Sequence, residues 1–320
     1  MDLHKYQPQA AFSQKHLTSL WDYTADEIYQ LLSTALRVKA LNKAHTVYQP
    51  LKGKQLAMLF SKPSARTRTS FEVGMSQLGG HALYIDEPKE VGIGKRESTY
   101  DIANVFSRFV DGIMIRTFSQ DWVQDLAKYG QVPVINGLSD MYHPCQVLAD
   151  MLTVYEHFGT FENLTLAYIG DGNNMTHSLM LICAKLGVNM RIACPDGYGP
   201  DVQITQKALA DVAATNARIT LCSDPYEAAA SANIVYTDTW ASMGAEHEAE
   251  QRAVVFKPYQ VNAALMQAAD PKAIFLHCLP AHRNSEVTDE VIDSPQSLVF
   301  DQAENRLHAQ KAVMVHLMGD

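Results

Sequence analysis

Residues 62–70, KPSARTRTS, set Lys62, Arg66 and Arg68 among Ser64, Thr67, Thr69 and Ser70. They follow an apolar run, QLAMLF (55–60), and open a helical pattern. A strand-to-helix turn of this composition suits an oxyanion. Backbone N–H groups at a helix start lack intrahelical partners and carry partial positive charge. Hydroxyl and guanidinium groups beside them complete a phosphate cradle. The plainer alternative is a solvated basic helix start, but cations are disfavoured there and need an anion to make sense. The spacing is not the GxxxxGK[ST] of a P-loop.

Other strand-ending turns also carry chemistry-bearing residues. GIMIRTF (112–118) puts Arg116 at a strand end, where an ordinary surface arginine is the alternative. MYHPCQVLAD (141–150) places His143 and Gln146 three apart on the first turn of a helix, hence on one face; a capping histidine and a solvated glutamine are the alternative. IGDGNNMTHS (169–178) has Gly170-x-Gly172, with Asp196 after the next strand, but Met175 stands where a dinucleotide fingerprint needs its third glycine. Asn173 and Asn174 instead offer neutral amides. YTDTWASMG (236–244) carries Asp238, a partner for a cation. FLHCLPAHR (275–283) carries His277 and Cys278 beside Leu279-Pro280, where Cys278 reads equally as a small buried apolar residue.

These turns need a framework. TADEIYQLLSTALRVKAL (24–41) is a helix opened by a Thr24/Glu27 capping box, with Ile28, Leu31, Leu32 and Ala35 on one face. Apolar strands then alternate with helices: QLAMLF, HALYID, GIMIRT and VPVIN before residue 143, and LTLAYIG, NMRIACP, ARITLCS, NIVYTDTW and AIFLHCLP after 163. Such alternation predicts α/β architecture, with two doubly wound parallel-sheet domains covered on both faces. The expected domains are 1–142 and 143–299, with a C-terminal helix, 300–320, packing back on the first. Ligands of open parallel sheets sit beyond the carboxyl ends of the strands, so the active site is expected in the cleft between the domains.

Composition narrows the class. The chain has 320 residues and net charge −9, which argues against a nucleic-acid surface. No run approaches the ~18 apolar residues of a membrane span, and the first residues lack the apolar stretch of a signal peptide. Five cysteines, an odd number without CxxC spacing, and scattered histidines without HExxH predict no disulfide framework and no metal site. A reducing cytoplasm fits them best.

Taken together, the motifs resemble the ornithine carbamoyltransferases of the aspartate/ornithine carbamoyltransferase family over nearly the whole chain. Ser64-Ala65-Arg66-Thr67-Arg68 is similar to the family's Ser-Thr-Arg-Thr-Arg. His143-Pro144-Cys145-Gln146 matches HPxQ, Asp238 to Gly244 matches D-x-W-x-S-M-G, and His277 to Pro280 matches HCLP. DQAENRLHAQKAVM (301–314) places Arg306 as the late arginine. The resemblance implies transfer of the carbamoyl group of carbamoyl phosphate to the δ-amine of L-ornithine, giving citrulline and phosphate in arginine metabolism, without a cofactor. It implies that Ser64, Ala65 (by its N–H), Arg66 and Thr67 hold the phosphate. Arg116 and His143 would polarise the carbamoyl oxygen, and Gln146 would take the carbamoyl amine. Cys278 and Leu279 would border the attacking amine, Arg306 would touch the carbamoyl group, and Asn174, Asp238, Ser242 and Met243 would bind ornithine. It also implies a homotrimer and a cis Leu279–Pro280 bond. Ala65 departs from the family's threonine. Gly92 falls about where many relatives carry a glutamine reaching a neighbouring subunit, a place Lys95 or Arg96 could take. Rival readings are a carbamoyltransferase for another amine such as putrescine, a NAD-dependent dehydrogenase, and a non-catalytic binding protein.

Overall fold

The apolar runs of the first half form a four-stranded parallel sheet and those of the second half a five-stranded one. The computed structural model describes residues 2–241 and 246–319. In chain order the first set is α1 (Ala25–Lys43), β1 (Gln55–Phe60), α2 (Ala65–Gln77), β2 (His81–Asp86), α3 (Thr99–Phe106), β3 (Gly112–Arg116), α4 (Gln120–Tyr129) and β4 (Val134–Leu138). Next come α5 (Pro144–Phe158), β5 (Thr165–Ile169), α6 (Asn174–Leu186), β6 (Asn189–Ala193), α7 (Val202–Asp211), β7 (Ile219–Cys222), α8 (Pro225–Ala229) and β8 (Ile234–Thr237). The chain closes with α9 (Ala249–Val255), α10 (Ala263–Ala268), β9 (Ile274–His277), α11 (Asp289–Ile292) and α12 (Val299–Met318). Packing divides it into two units: residues up to Leu152 together with those from Asn305 on, and Thr153–Glu304. Among the described residues no helix is long and apolar enough to cross a membrane.

In the first unit the sheet order is β2-β1-β3-β4. Ala57, Leu59, Ile113 and Ile115 face Ile102, Val123 and Leu126 of the helices in one apolar cluster. Burying a side chain of this size is worth ~1.5–3 kcal/mol. Gly74 lets α2 approach α12 closely, since a Cβ there would stand 3.0 Å from Met314 Cε and 3.3 Å from Lys311 Cγ. Thr24 caps α1 as expected: Glu27 N–H donates to its Oγ1 at 3.2 Å while Thr24 N–H donates to Glu27 Oε2 at 2.9 Å.

The second unit has the order β7-β6-β5-β8-β9. Ala167, Ile169, Val235 and Phe275 pack with Ala228, Leu265 and Val291 from the covering helices. In each sheet the strand order reverses beside the first strand formed, between β1 and β3 and between β5 and β8. Loops from strands either side of such a point diverge and leave room for a ligand. The turns after β1, β3, β5 and β8 stand at these places, and those after β4 and β9 lie one strand further along.

Between β2 and α3 lies a single π-helical turn, Glu87–Val91, that no sequence pattern announced. Gly92 ends it with φ of 74°, a left-handed conformation that glycine adopts without steric cost. Buried Glu87 fixes the turn by accepting hydrogen bonds from Ile93 N–H at 2.6 Å and from Ser61 Oγ at 2.8 Å, just before the cationic segment.

Candidate active site

In the first unit Ser64 is the N-cap of α2. Its Oγ accepts from Thr67 N–H at 3.4 Å and lies 3.1 Å from Thr67 Oγ1. Ala65 opens the helix, so its missing hydroxyl leaves the backbone N–H in place. The three cations part company. Arg68 donates to Glu72 at 2.9 Å, an i,i+4 pair, and stacks over Tyr84 at 4.1 Å. Lys62 lies over the Phe118 ring at 5.8 Å. Arg66 is exposed, and no carboxylate pairs with it among the described residues. Of the cluster, Arg66 is thus the cation left available to an anion at the helix start.

Arg116 ends β3, opposite Phe60 of β1, and its carbonyl accepts from Ser61 N–H at 2.8 Å. His143 directly precedes α5, and its carbonyl accepts from Gln146 N–H at 3.1 Å. The His143 ring is buried. Burial pushes its pKa well below the usual histidine range, and the positive charges of Arg306, Arg116 and Arg66 push it further the same way. The imidazole is therefore neutral at physiological pH and carries one N–H donor. The three arginines come from three separate segments of the chain. Arg306, also buried, donates from Nη1 to Gln146 Oε1 at 2.7 Å and from Nη2 to Thr67 Oγ1 at 3.3 Å. Gln146 Nε2 donates to Asp150 at 2.8 Å, which orients the amide with its oxygen toward Arg306. Ser64, Thr67, Arg116, His143, Gln146 and Arg306 form one constellation, built from the ends of β1, β3 and β4 and from α12.

In the second unit the turns after β5, β8 and β9 converge, because these strands are neighbours in the sheet. Asn173 caps α6: its Oδ1 accepts from Met175 N–H at 2.9 Å and Thr176 N–H at 3.3 Å. Its Nδ2 donates to Asp238 Oδ2 at 2.8 Å. Asn174 begins the helix and is buried. Asp238 Oδ1 accepts from Thr239 N–H at 2.7 Å and from the Cys278 thiol at 3.0 Å. Cys278 is thus a thiol donor beside a carboxylate rather than an apolar filler. Leu279 has φ of 56°, sparsely populated for a leucine, and the Leu279–Pro280 bond is cis, as the resemblance implied. Ser242 and Met243 lie outside the described residues.

The dinucleotide reading of the β5 turn loses its physical basis. A pyrophosphate needs bare N–H groups at the helix start, and Asn173 occupies two of them. Gly172 serves a close approach of the chain to itself, since a Cβ there would stand 2.2 Å from the Gly199 carbonyl carbon.

Arg252, Asp171 and Glu286 escaped the sequence reading. Arg252, the one Lys or Arg between Arg218 and Lys257, sits in an acidic stretch. Its Nη1 donates to Asp171 Oδ2 at 2.7 Å and to the Trp240 carbonyl at 2.9 Å, and its Nε to Glu248 at 2.8 Å. It staples the turn after β5 to the turn after β8. Burial raises the Asp171 pKa to about 6 despite this partner. His277 Nδ1 accepts from Leu279 N–H at 2.9 Å, which leaves its Nε2–H facing buried Glu286 at 3.2 Å. The pair anchors the backbone that carries Cys278. Asp238, His277 and Cys278 present potential ligand atoms within 4.8 Å of one another. Both ring nitrogens of His277 are engaged, however, so the triad fits a hydrogen-bonded site better than a metal site.

The comparisons with known proteins agree with this geometry. Residues 15–156 match the family model described as the aspartate/ornithine carbamoyltransferase carbamoyl-P binding domain, and residues 162–317 match its Asp/Orn binding domain. The anabolic ornithine carbamoyltransferase of Pyrococcus furiosus is 51% identical over 95% of this chain and 96% of the relative. The ornithine carbamoyltransferase of Symbiobacterium thermophilum is 55% identical over 94% of this chain and 96% of the relative. A solved structure of the Pyrococcus furiosus ornithine carbamoyltransferase superposes with a TM-score of 0.94 at 50% identity, covering 97% of this chain and 98% of that one. With both family domains in order and relatives matching nearly end to end, the chain belongs to the aspartate/ornithine carbamoyltransferase family.

Proposed function

We propose that the protein is an ornithine carbamoyltransferase, moving the carbamoyl group of carbamoyl phosphate to the δ-amine of L-ornithine. The observation that carries the reading is buried Arg306 bonded to both Gln146 and Thr67, which joins the start of α2 to the start of α5 beside buried His143. Carbamoyl transfer needs a fixed electrophile, a stabilised carbonyl oxygen and a neutralised phosphate leaving group, all tasks for positioned donors. Ser64, Arg66, Thr67 and the Ala65 N–H take the phosphate oxygens. Arg116 and the His143 N–H draw electron density toward the carbonyl oxygen, and a neutral imidazole does so without repelling the arginines. Gln146 receives the carbamoyl amine, with Arg306 fixed beside it.

Asp238 pairs with the α-ammonium of ornithine, and Asn174 with Ser242 and Met243 receives its carboxylate end. Cys278 and Leu279 border the δ-amine. That amine, with a solution pKa near ~10.4 by analogy with lysine, attacks as the free base. The C–N bond forms, the C–O bond to phosphate breaks, and the amine proton leaves with phosphate. We assign carbamoyl-phosphate binding to the expected first domain, residues 1–142 with 300–320, extended through His143 and Gln146 at the start of α5, and ornithine binding to the remainder of 143–299. We infer a homotrimer working in the cytoplasm, a placement with which five free cysteines are consistent.

The test is purified protein given carbamoyl phosphate and a panel of ornithine, putrescine, aspartate and N-acetylornithine, with ureido product measured. Ornithine should exceed the others, because only it presents a free α-ammonium and carboxylate beside a δ-amine. Putrescine carbamoylated as efficiently would overturn the acceptor assignment.

A further inference from the structure

Gln310 is fully buried on α12, one helical turn beyond Arg306. With its amide oriented to suit its neighbours, its oxygen accepts from Arg306 Nη2 at 2.8 Å and Nε at 3.3 Å, and its nitrogen donates to Ser70 Oγ at 2.5 Å. The opposite orientation would set amide N–H groups against guanidinium N–H groups, donor against donor. Ser70 Oγ in turn lies 2.7 Å from the Arg66 carbonyl and 3.1 Å from the Thr67 carbonyl, its acceptors. A continuous chain thus runs from buried Asp150 through buried Gln146, Arg306 and Gln310 to half-buried Ser70 and the backbone of the first turn of α2.

The two ends of the guanidinium have different keepers. Gln146 holds the Nη1 side. Gln310 holds the Nε–Nη2 edge, with Thr67 Oγ1 at 3.3 Å from Nη2. A planar fork held on one side only can rotate about its long side chain, whereas one held on both sides is fixed. The same amide also braces, through Ser70, the carbonyls of Arg66 and Thr67, and hence the turn expected to face phosphate. We propose that Gln310 is a positioning residue for carbamoyl phosphate, fixing Arg306 against the first turn of α2. The inference rests on the carbamoyl-transfer reading for its ligand, but only on the donor half of it.

The test uses Gln310→Met and Gln310→Glu in the full-length protein. Carbamoyl-phosphate affinity is measured calorimetrically without any amine, and steady-state citrulline formation is measured alongside. Met matches the length but cannot accept from Arg306. Glu keeps the acceptor and loses the donation to Ser70. A hydrogen bond to a charged group predicts about tenfold or greater loss of carbamoyl-phosphate affinity in Gln310→Met, with Gln310→Glu within about threefold of wild type. KM for ornithine should stay within about twofold in both, since its contacts are assigned elsewhere. A packing role predicts the reverse order, because an apolar side chain suits a buried position better than a carboxylate. Gln310→Met binding like wild type, Gln310→Glu binding as weakly as Gln310→Met, or failure of both to fold would each overturn the proposal. A wild type that binds carbamoyl phosphate yet forms no citrulline would overturn the acceptor reading and leave this comparison intact. A wild type that binds none would overturn both.

Discussion

Asp238 accepts from Asn173, Thr239 and Cys278 at once, so its carboxylate position is set before any substrate arrives. Asp238→Asn keeps the size and removes the charge. A charge-assisted bond of ~1.5–3 kcal/mol predicts a ~10- to 100-fold rise in KM for ornithine, with carbamoyl-phosphate affinity essentially unchanged. Separate titration of the two substrates checks this, and an ornithine KM within about twofold of wild type would remove Asp238 from the α-ammonium. On the donor side Arg66→Ala should cost ~3 kcal/mol or more of transition-state stabilisation. Single-substrate kinetics reads this as kcat/KM, and a fall of less than about fivefold, ~1 kcal/mol, contradicts the assignment. Residue type and spacing made these positions legible, since a guanidinium at a helix start and a lone carboxylate at a strand end announce themselves. Residue type alone did not separate Arg66 from Arg68; the resemblance pointed to Arg66, and the structure supplies a physical reason, since Glu72 and Tyr84 hold Arg68.

The strands were readable as elements because each is a short apolar run bounded by turns. Their order was not, because it depends on pairing between segments far apart in sequence. That order makes Asn173, Asp238 and Cys278 neighbours, following as they do three adjacent strands, β5, β8 and β9. Arg252 shows the same limit. It stands outside every motif, and its worth lies in two partners, Asp171 and Trp240, at distances only folding creates. A pH prediction follows from this staple. The Asp171 carboxylate is faced by Arg252, Glu248 and Asp238, and its pKa is raised to about 6. It is ionised and bound to Arg252 above that value and becomes protonated as pH falls through it, so the staple weakens toward acid. KM for ornithine should therefore rise below about pH 6 in wild type, beyond what amine protonation explains. Asp171→Asn, a neutral acceptor at every pH, should lack that inflection. A profile identical in both proteins would show that the staple does not govern ornithine binding.

At the scale of the molecule, two parallel-sheet α/β domains were foreseen from alternation alone, and the structure and its relatives bear the class out. Less visible was that the chain would pack as one unit up to Leu152 and again from Asn305, with α5 and α12 each running through a division. A long amphipathic helix advertises its ends, not the point where its packing partners change. Assembly is a separate expectation. Sedimentation should give about three times the 35.5 kDa of one chain, and a mass near that of one chain would contradict the trimer. The most direct test of the whole account follows a single carbon. Purified protein is given carbamoyl phosphate labelled with ¹³C together with unlabelled L-ornithine, and the products are resolved by NMR. The label should appear in the ureido carbon of citrulline, with one phosphate released per citrulline and no added cofactor. Label found only in the products of carbamoyl-phosphate breakdown, at the rate seen without protein, would contradict it.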